Sequence, residues 1–352
     1  MRRALPDLLW TLLLAAVVAM GPTVLKALFD QASVSYLSIA SNAMSLAVLA
    51  LSWDLLARTG QLSLAHAAFY GAGAYTAAVF AKLGGVPLGL LLPLGGAVAA
   101  VLALGLGSVT LRLKGIYFAI ATLAFTEVLK AVVQELPTGL AGGAAGLNVP
   151  PLFRPHFVPG QMQRWEIAFQ RNEAYFYVYG GLLILTILVS TVAQRTRLKA
   201  AFTAVRTNEA VAAVMGVRPA RAKLLAFVLS SALVGMLGAL EAMRLGSVIP
   251  DGTFAISTTV FALVTPIFGG LYTTLGPILG AGVLSAVEET LRRTFAEGSL
   301  RRTFAEGYLI GYGIVLVASI LFMPRGLVGL VTRLARRRPT PPPGAADAEE
   351  AG

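Results

Sequence analysis

The chain has 352 residues, 57% of them hydrophobic and 13% charged, and a mean hydropathy of +0.76. Soluble domains are nearer one quarter charged, so this composition excludes a water-soluble fold and indicates an integral membrane protein. The net charge of +11 lies in short segments at the ends of apolar runs, which is the pattern of membrane orientation; lipid is therefore the expected surrounding and no nucleic-acid partner is expected.

Apolar runs of about 20 residues recur along the chain, the length that crosses ~30 Å of hydrocarbon. Lipid offers no partner to an open backbone, so these runs are predicted to be helices. The expected fold is an all-α polytopic membrane protein of about ten transmembrane or half-spanning helices, at residues 8–29, 34–56, 64–83, 87–111, 116–133, 175–193, 223–247, 257–268, 275–287 and 308–330. The first run follows Arg2 and Arg3 as a signal sequence would. It is long enough to span and has no small-x-small site after it, so it reads as an uncleaved first span.

Positive charge orients these spans. Arg2 and Arg3, then Arg58, then Arg112 and Lys114, then the run from Arg195 to Lys223, then Arg333 to Arg338 are each separated by an even number of spans. All fall on one side, the cytoplasm, with both termini inside. The segment 291–307 runs against this map with Arg292, Arg293, Arg301 and Arg302, and it carries "RRTFAEG" twice, at 292–298 and 301–307. A tandem duplication there reads as a tolerated length change in an outer loop. Trp53 and the cluster Tyr175, Phe176, Tyr177 and Tyr179 stand at span ends, where amphipathic rings favour the interface.

The expected organisation is a permease domain over 1–332, with an outer loop at 134–174 and a cytoplasmic loop at 194–222. A low-complexity tail over 333–352 is expected to be disordered. There is no cysteine, and His66 and His156 stand far apart, so no metal site is expected. No phosphate-binding G-x-x-x-x-G-K-[ST] occurs, since none of the lysines follows a glycine. There is no G-x-S-x-G or H-E-x-x-H either. The chain reads as a passage rather than an enzyme, and any ATP and Mg would be bound by another subunit.

"GQLSLAHAAFYGAGAYTAA", residues 60–78, offers small residues for close helix packing. Ser63 and His66, three apart, are predicted to share a helix face. An ionisable group at membrane depth is either packed inside or lines a watery path. In "RLKGIYFAIATLAFTEVLK", residues 112–130, Thr122 and Thr126 share a face, and Glu127 and Lys130 are spaced to pair. The Gly-rich "TGLAGGAAGLNVPP", residues 138–151, reads as a flexible or tightly turned segment. Glu241 and Arg244 are spaced to pair, and "GGLYTTLGPILGAG", residues 269–282, reads as a broken helix.

"TAVRTNEAVAAVMGV", residues 203–217, lies between two long apolar runs. Asn208 is a helix cap, Glu209 suits the first turn, Gly216 suits the residue after the last turn, and Pro219 stops continuation. Residues 208–215 are thus predicted as a two-turn helix, with Val211, Val214 and Met215 on one face and Arg206, Glu209 and Ala213 on the other. It is either an interfacial helix on the membrane or a dock for a soluble partner.

These stretches resemble the permease subunits of ABC importers for branched-chain amino acids, the LivM branch of the LivH/LivM family. The similar pieces are the 60–78 stretch, "RLKGIYFAIATLAFTEVL", the "TG…GGAAGL" segment, "AVRTNEAVAAVMGV", "GGLYTTLGPILGA" and "LFMPRGLVGL", in family order over roughly residues 35–330. The resemblance implies a bacterial inner-membrane, multi-pass permease that pairs with a second, LivH-like permease. Two cytoplasmic ATPase subunits and an extracytoplasmic solute-binding protein complete it. It also implies that Arg206, Asn208, Glu209, Ala213 and Gly216 belong to the loop that couples to the ATPase; family members often carry a second glutamate where this chain has Ala213. Ser63, His66 and Phe69 map to the family's Gly-rich early segment, and with Thr122, Thr126 and Glu127 they are the candidate path residues. The expected solute is a branched-chain amino acid or a related small amide or amino acid. The competing reading is a secondary transporter driven by an ion gradient, motivated by His66, Glu127 and the break near Gly276 and Pro277.

Overall fold

A computed structural model describes residues 4–84, 86–153, 164–297, 313–314 and 326–329. The expectations for His156, the tail, the second "RRTFAEG" copy and nearly all of the tenth span fall outside the described residues. The long helices are α1 (Ala4–Phe29), α2 (Ser33–Ala57), α3 (His66–Leu83), α4 (Leu91–Thr110) and α5 (Ile116–Glu135). A four-residue α6 (Thr138–Ala141) and strand β1 (Leu147–Asn148) follow. Next come α7 (Arg164–Arg195), α8 (Arg197–Thr207), α9 (Glu209–Val214), α10 (Pro219–Leu245), β2 (Ser247–Val248), α11 (Pro250–Thr253), α12 (Ile256–Gly269) and α13 (Leu275–Glu297).

Among the described residues, six segments are long and apolar enough to cross a membrane: Ser33–Ala57, Leu91–Thr110, Ile116–Glu135, Phe169–Arg195, Pro219–Leu245 and Pro250–Gly269. α3 is not one of them. Small residues, tyrosines and His66 lower its hydropathy, and most of its side chains are buried by other helices rather than exposed to lipid.

Glycine sets how closely these helices approach. A Cβ on Gly73 would lie 1.9 Å from the carbonyl oxygen of Gly235, and one on Gly238 would lie 2.0 Å from that of Tyr70, so α3 and α10 touch backbone to backbone. Gly95 on α4 continues this seam against Gly235. The small-residue surface of 60–78 is therefore a packing surface. α10 runs the length of the bundle, from the end that carries α8 and α9 to the end closed by β1 and β2. There Leu147 pairs with Val248 and Asn148 with Ser247, antiparallel. The Gly-rich segment is tightly turned: Gly146 has φ +78°, and a Cβ on it would lie 2.0 Å from the oxygen of Val248.

Several sequence expectations change. α7 starts at Arg164, inside the predicted 134–174 loop. α8 had no counterpart in the sequence reading. The predicted ninth span over 275–287 continues to Glu297. The helix break is at 270–274, and Gly276 and Pro277 sit in the first turn of α13. Trp53 is not interfacial but fully buried, its Nε1–H donating to the oxygen of Ser63 at 3.0 Å. Tyr175, Phe176 and Tyr179 are buried as well, and only Tyr177 of that cluster faces outward. Burial wins at these positions because other parts of the chain cover the rings: Tyr175 bonds to Leu152 and Met243, Phe176 lies against Gly21 of α1, and the Arg244 guanidinium of α10 lies over Tyr179.

Candidate functional site

Polar residues at helical spacing on four different helices converge on a groove. α2 contributes Asn42, Ser45, Leu46 and Leu49; α12 contributes Thr258 and Phe261; α13 contributes Ser285 and Glu288; α3 contributes Tyr70. Spacings of three and four residues put each set on one face of its helix. The groove has a volume of about 210 Å³. A second hollow of about 280 Å³ adjoins it through Tyr70 and Thr258 and reaches Ser247, Ile249 and Gly252 at the β1–β2 end. A third, of about 140 Å³, shares Asn42, Ser285 and Glu288 with the first and adds Glu289 and Arg292. The three hollows adjoin through these shared residues, in a trail that is polar along α2 and α13 and mostly apolar where it reaches β2.

A charge network backs this trail. Ser45 Oγ donates to Glu241 Oε1 at 2.7 Å, and Arg244 Nε donates to Glu241 Oε2 at 3.0 Å. The Arg244 guanidinium lies 5.4 Å from the centre of the Tyr179 ring. The predicted Glu241–Arg244 pair thus exists, with Glu241 nearly buried and Arg244 a quarter exposed. Both charges are neutralised locally, which is what keeps an ionised pair tolerable in a low-dielectric bundle.

The earlier candidate path residues are elsewhere. Ser63 is not on a helix with His66: it lies in the non-helical stretch before α3, its Oγ accepting from the backbone N–H of Ala65 at 3.1 Å. The reason is backbone accounting. Residues 61–65 leave groups without helical partners, and Thr122 Oγ1 accepts from the N–H of Leu64 at 2.9 Å, while Thr126 and Thr259 donate to its oxygen at 3.4 and 3.3 Å. Thr259 also accepts from the N–H of Ala67 at 3.0 Å. Phe69 is buried edge-on against Phe227. None of these residues lines the groove.

His66 is fully buried, its Nε2 3.0 Å from Ser230 Oγ. Ser230 Oγ donates to the oxygen of Ser52 at 2.6 Å, so Ser230 accepts from His66 and the ring proton belongs on Nε2. Nδ1 then faces the interior with no hydrogen-bond partner among the described residues. His66 lies one turn from Tyr70 on the same face of α3. Glu127 is exposed and does not take Lys130: Lys130 Nζ lies 2.7 Å from Asp251 Oδ1 on α11, a charge distant in sequence that spacing along one helix does not reveal.

The loop 194–222 is built largely as its sequence implies. Asn208 is extended, and its Oδ1 accepts from the N–H groups of Ala210 and Val211 at 3.0 and 3.2 Å, capping α9. Gly216 has φ +84°, closing the helix, and Pro219 opens α10 at its first turn. Two of its charged residues, Glu209 and Arg206, however, turn inward. Glu209 Oε2 pairs with Lys223 Nζ at 2.8 Å, and the Lys223 side chain is only 4% exposed. Arg206 lies with Cζ 3.9 Å from the centre of the Tyr272 ring. The outward surface of α9 and the residue after it is apolar: Val211, Val214 and Met215 are 57%, 88% and 78% exposed, and Ala213 is exposed beside them.

Of the residues in the groove, sequence reasoning missed Asn42, Ser45, Tyr70, Thr258, Ser285 and Glu288. The signal was present in α2 and α13, where Asn42 with Ser45 and Ser285 with Glu288 are polar pairs three residues apart inside apolar runs.

The family described as "Branched-chain amino acid transport system / permease component" matches residues 35–320. The "High-affinity branched-chain amino acid transport system permease protein LivM" of Salmonella typhimurium (strain LT2) is 32% identical over 285 residues, 77% of this chain and 64% of that protein. The protein of the same name from Escherichia coli (strain K12) is 31% identical over the same shares. The chain thus spans 64% of the length of these curated relatives. No solved structure matches it.

Proposed function

The chain belongs to the family of branched-chain amino acid transport permease components, and on that premise we propose that it is the membrane-spanning subunit of an ATP-driven importer. It moves branched-chain amino acids or related small amides and amino acids across the bacterial inner membrane. It works beside a second permease, two cytoplasmic ATPase subunits that bind the ATP and Mg, and an extracytoplasmic solute-binding protein. About ten transmembrane or half-spanning helices with both termini inside, a permease domain over 1–332 and a cytoplasmic loop over 194–222 agree with the positive charge at span ends.

The exposed tip of α9 carries this reading. Val211, Val214 and Met215 stand in a loop bounded by seven positive charges, from Arg195 to Lys223, with none of the described helices covering them. Apolar side chains grouped at the end of a polar loop mark a contact with another protein. The chain has no nucleotide-binding motif of its own, so that contact is where an ATPase subunit delivers its movement. Asn208 and Gly216 shape the tip, Ala213 belongs to its surface, and Glu209 and Arg206 tie it to the bundle. The polar trail of Asn42, Ser45, Tyr70, Ser285 and Glu288, backed by Glu241 and Arg244, is the solute's route. His66, one turn deeper along α3 from Tyr70, extends that route when the helices part; Ser63, Phe69, Thr122 and Thr126 hold the junction around it.

The test is transport in vesicles containing this chain expressed with its genomic neighbours. Labelled leucine uptake is expected to require the ATPase subunits and ATP, and to persist when proton and sodium gradients are collapsed. Uptake that survives removal of the ATPase but stops with the gradient identifies a secondary transporter instead.

A further inference from the structure

The break between α12 and α13, at 270–274, is held from two sides. From the α2 end, Asp54 Oδ1 accepts from the backbone N–H of Tyr272 at 2.7 Å, and Arg58, itself bonded to Asp54 Oδ2 through Nε at 2.9 Å, donates to the oxygen of Thr273 at 3.2 Å. From the loop side, Arg206 of α8 covers the ring of Tyr272, and Gln194 at the end of α7 donates to Thr274 Oγ1 at 2.7 Å. Asp54 is fully buried. Tyr272 has φ +63°, a left-handed backbone that a bulky non-glycine residue adopts only when its surroundings hold it there.

We propose that Arg206 and Tyr272 form the joint through which α8 and α9 move the α12–α13 break, with Asp54 as the anchor on α2. This rests on the reading that the loop 194–222 receives movement from an ATPase. The geometry suits the task in three ways. A helix carries displacement stiffly, whereas a short non-helical break lets two helices change their angle. The helices it joins are α12 and α13, which bring Thr258, Phe261, Ser285 and Glu288 to the groove. The contact itself is a cation on a ring face, which attracts without fixing a single bond direction, so α8 can slide over Tyr272 and still draw it along. Tyr272 and Asp54 are positioning residues: neither lines the groove.

The experiment uses the full transporter, expressed with its genomic neighbours, and measures labelled leucine uptake and ATP turnover in the same vesicles. Three variants are compared: Arg206→Met, which removes the cation and leaves the break's backbone alone, Tyr272→Leu, and Tyr272→Phe, which keeps the ring face. In Arg206→Met and Tyr272→Leu, solute moved per ATP is expected to fall roughly five- to tenfold while the ATPase subunits still co-purify. Tyr272→Phe is expected to keep the wild-type ratio. An unchanged ratio in Arg206→Met overturns the joint. So does loss of the ATPase subunits from that variant, which would make Arg206 a docking residue, and so does its failure to insert. If Tyr272→Leu fails to insert, Arg206→Met decides alone. The wild-type arm reports on the underlying reading separately: uptake without any ATPase subunit removes the coupling role of the loop and the joint with it, whatever the variants do.

Discussion

Ser45 and Glu241, 196 residues apart in sequence, meet with the serine hydroxyl donating to the carboxylate at 2.7 Å. That bond ties α2 to α10 beside the groove and leaves the other carboxylate oxygen for Arg244. Replacing Glu241 with Leu removes, at a nearly buried position, the acceptor of both Ser45 and Arg244. The expected loss is about 1–3 kcal/mol of stability, seen as a lower unfolding temperature in detergent, together with reduced uptake. Glu241→Gln, which still accepts from Ser45, is expected to keep most of the stability and less of the uptake. Equal uptake by wild type and both variants would remove this network from the route.

Glu209 and Lys223 give a charge-reversal test. Glu209→Arg sets two cations together around a lysine side chain that is only 4% exposed. The loop is expected to separate from α10, with the ATPase subunits and uptake lost and membrane insertion retained. The exchange Glu209→Lys with Lys223→Glu is expected to recover a measurable part of both. Normal uptake in the single variant would sink the coupling role of this loop.

Val214 tests the tip directly. It is 88% exposed, so Val214→Asp is expected to change the chain's own stability by no more than about 0.5 kcal/mol. If the tip is a buried contact in the complex, the same change weakens ATPase association by roughly tenfold or more. Co-purification and thermal unfolding, run on the same sample, separate these two effects.

Gly73 tests the packing seam. A Cβ there would lie 1.9 Å from the backbone oxygen of Gly235, with no flexible side chain able to yield. Gly73→Val is expected to cost about 3 kcal/mol or more and to abolish folded protein in detergent. Gly105→Ala, on α4 with open space around it, is the matched control and is expected to behave as wild type.

The spans most readable in sequence were the long apolar runs, whether they face lipid or, as α10 does, the inside of the bundle. α2, α4, α5 and α10 were placed within a few residues because a run of apolar side chains ends where the hydrocarbon ends. The cap at Asn208 was equally readable, since its bonds reach only two and three residues along the chain. α8 was missed because its charged surface gives no span signal, and its buried side, Phe202 and Val205, is short. The Lys130–Asp251 pair was missed because spacing along one helix offered Glu127 as a nearer partner.

The amino-acid sequence determined the membrane class and the outline of the helices, both of which depend on composition and on neighbours a few residues apart. It also carried family membership, through motifs kept in order. Only the tertiary structure decided that Glu209 and Arg206 turn inward while Val211, Val214 and Met215 face out, and that Asn42, Tyr70 and Glu288 share one groove. Helical periodicity states which side chains lie on the same face. Which face a neighbouring helix takes is set by close approach elsewhere, at Gly73 against Gly235 and Gly238 against Tyr70, and such contacts join residues far apart in the chain.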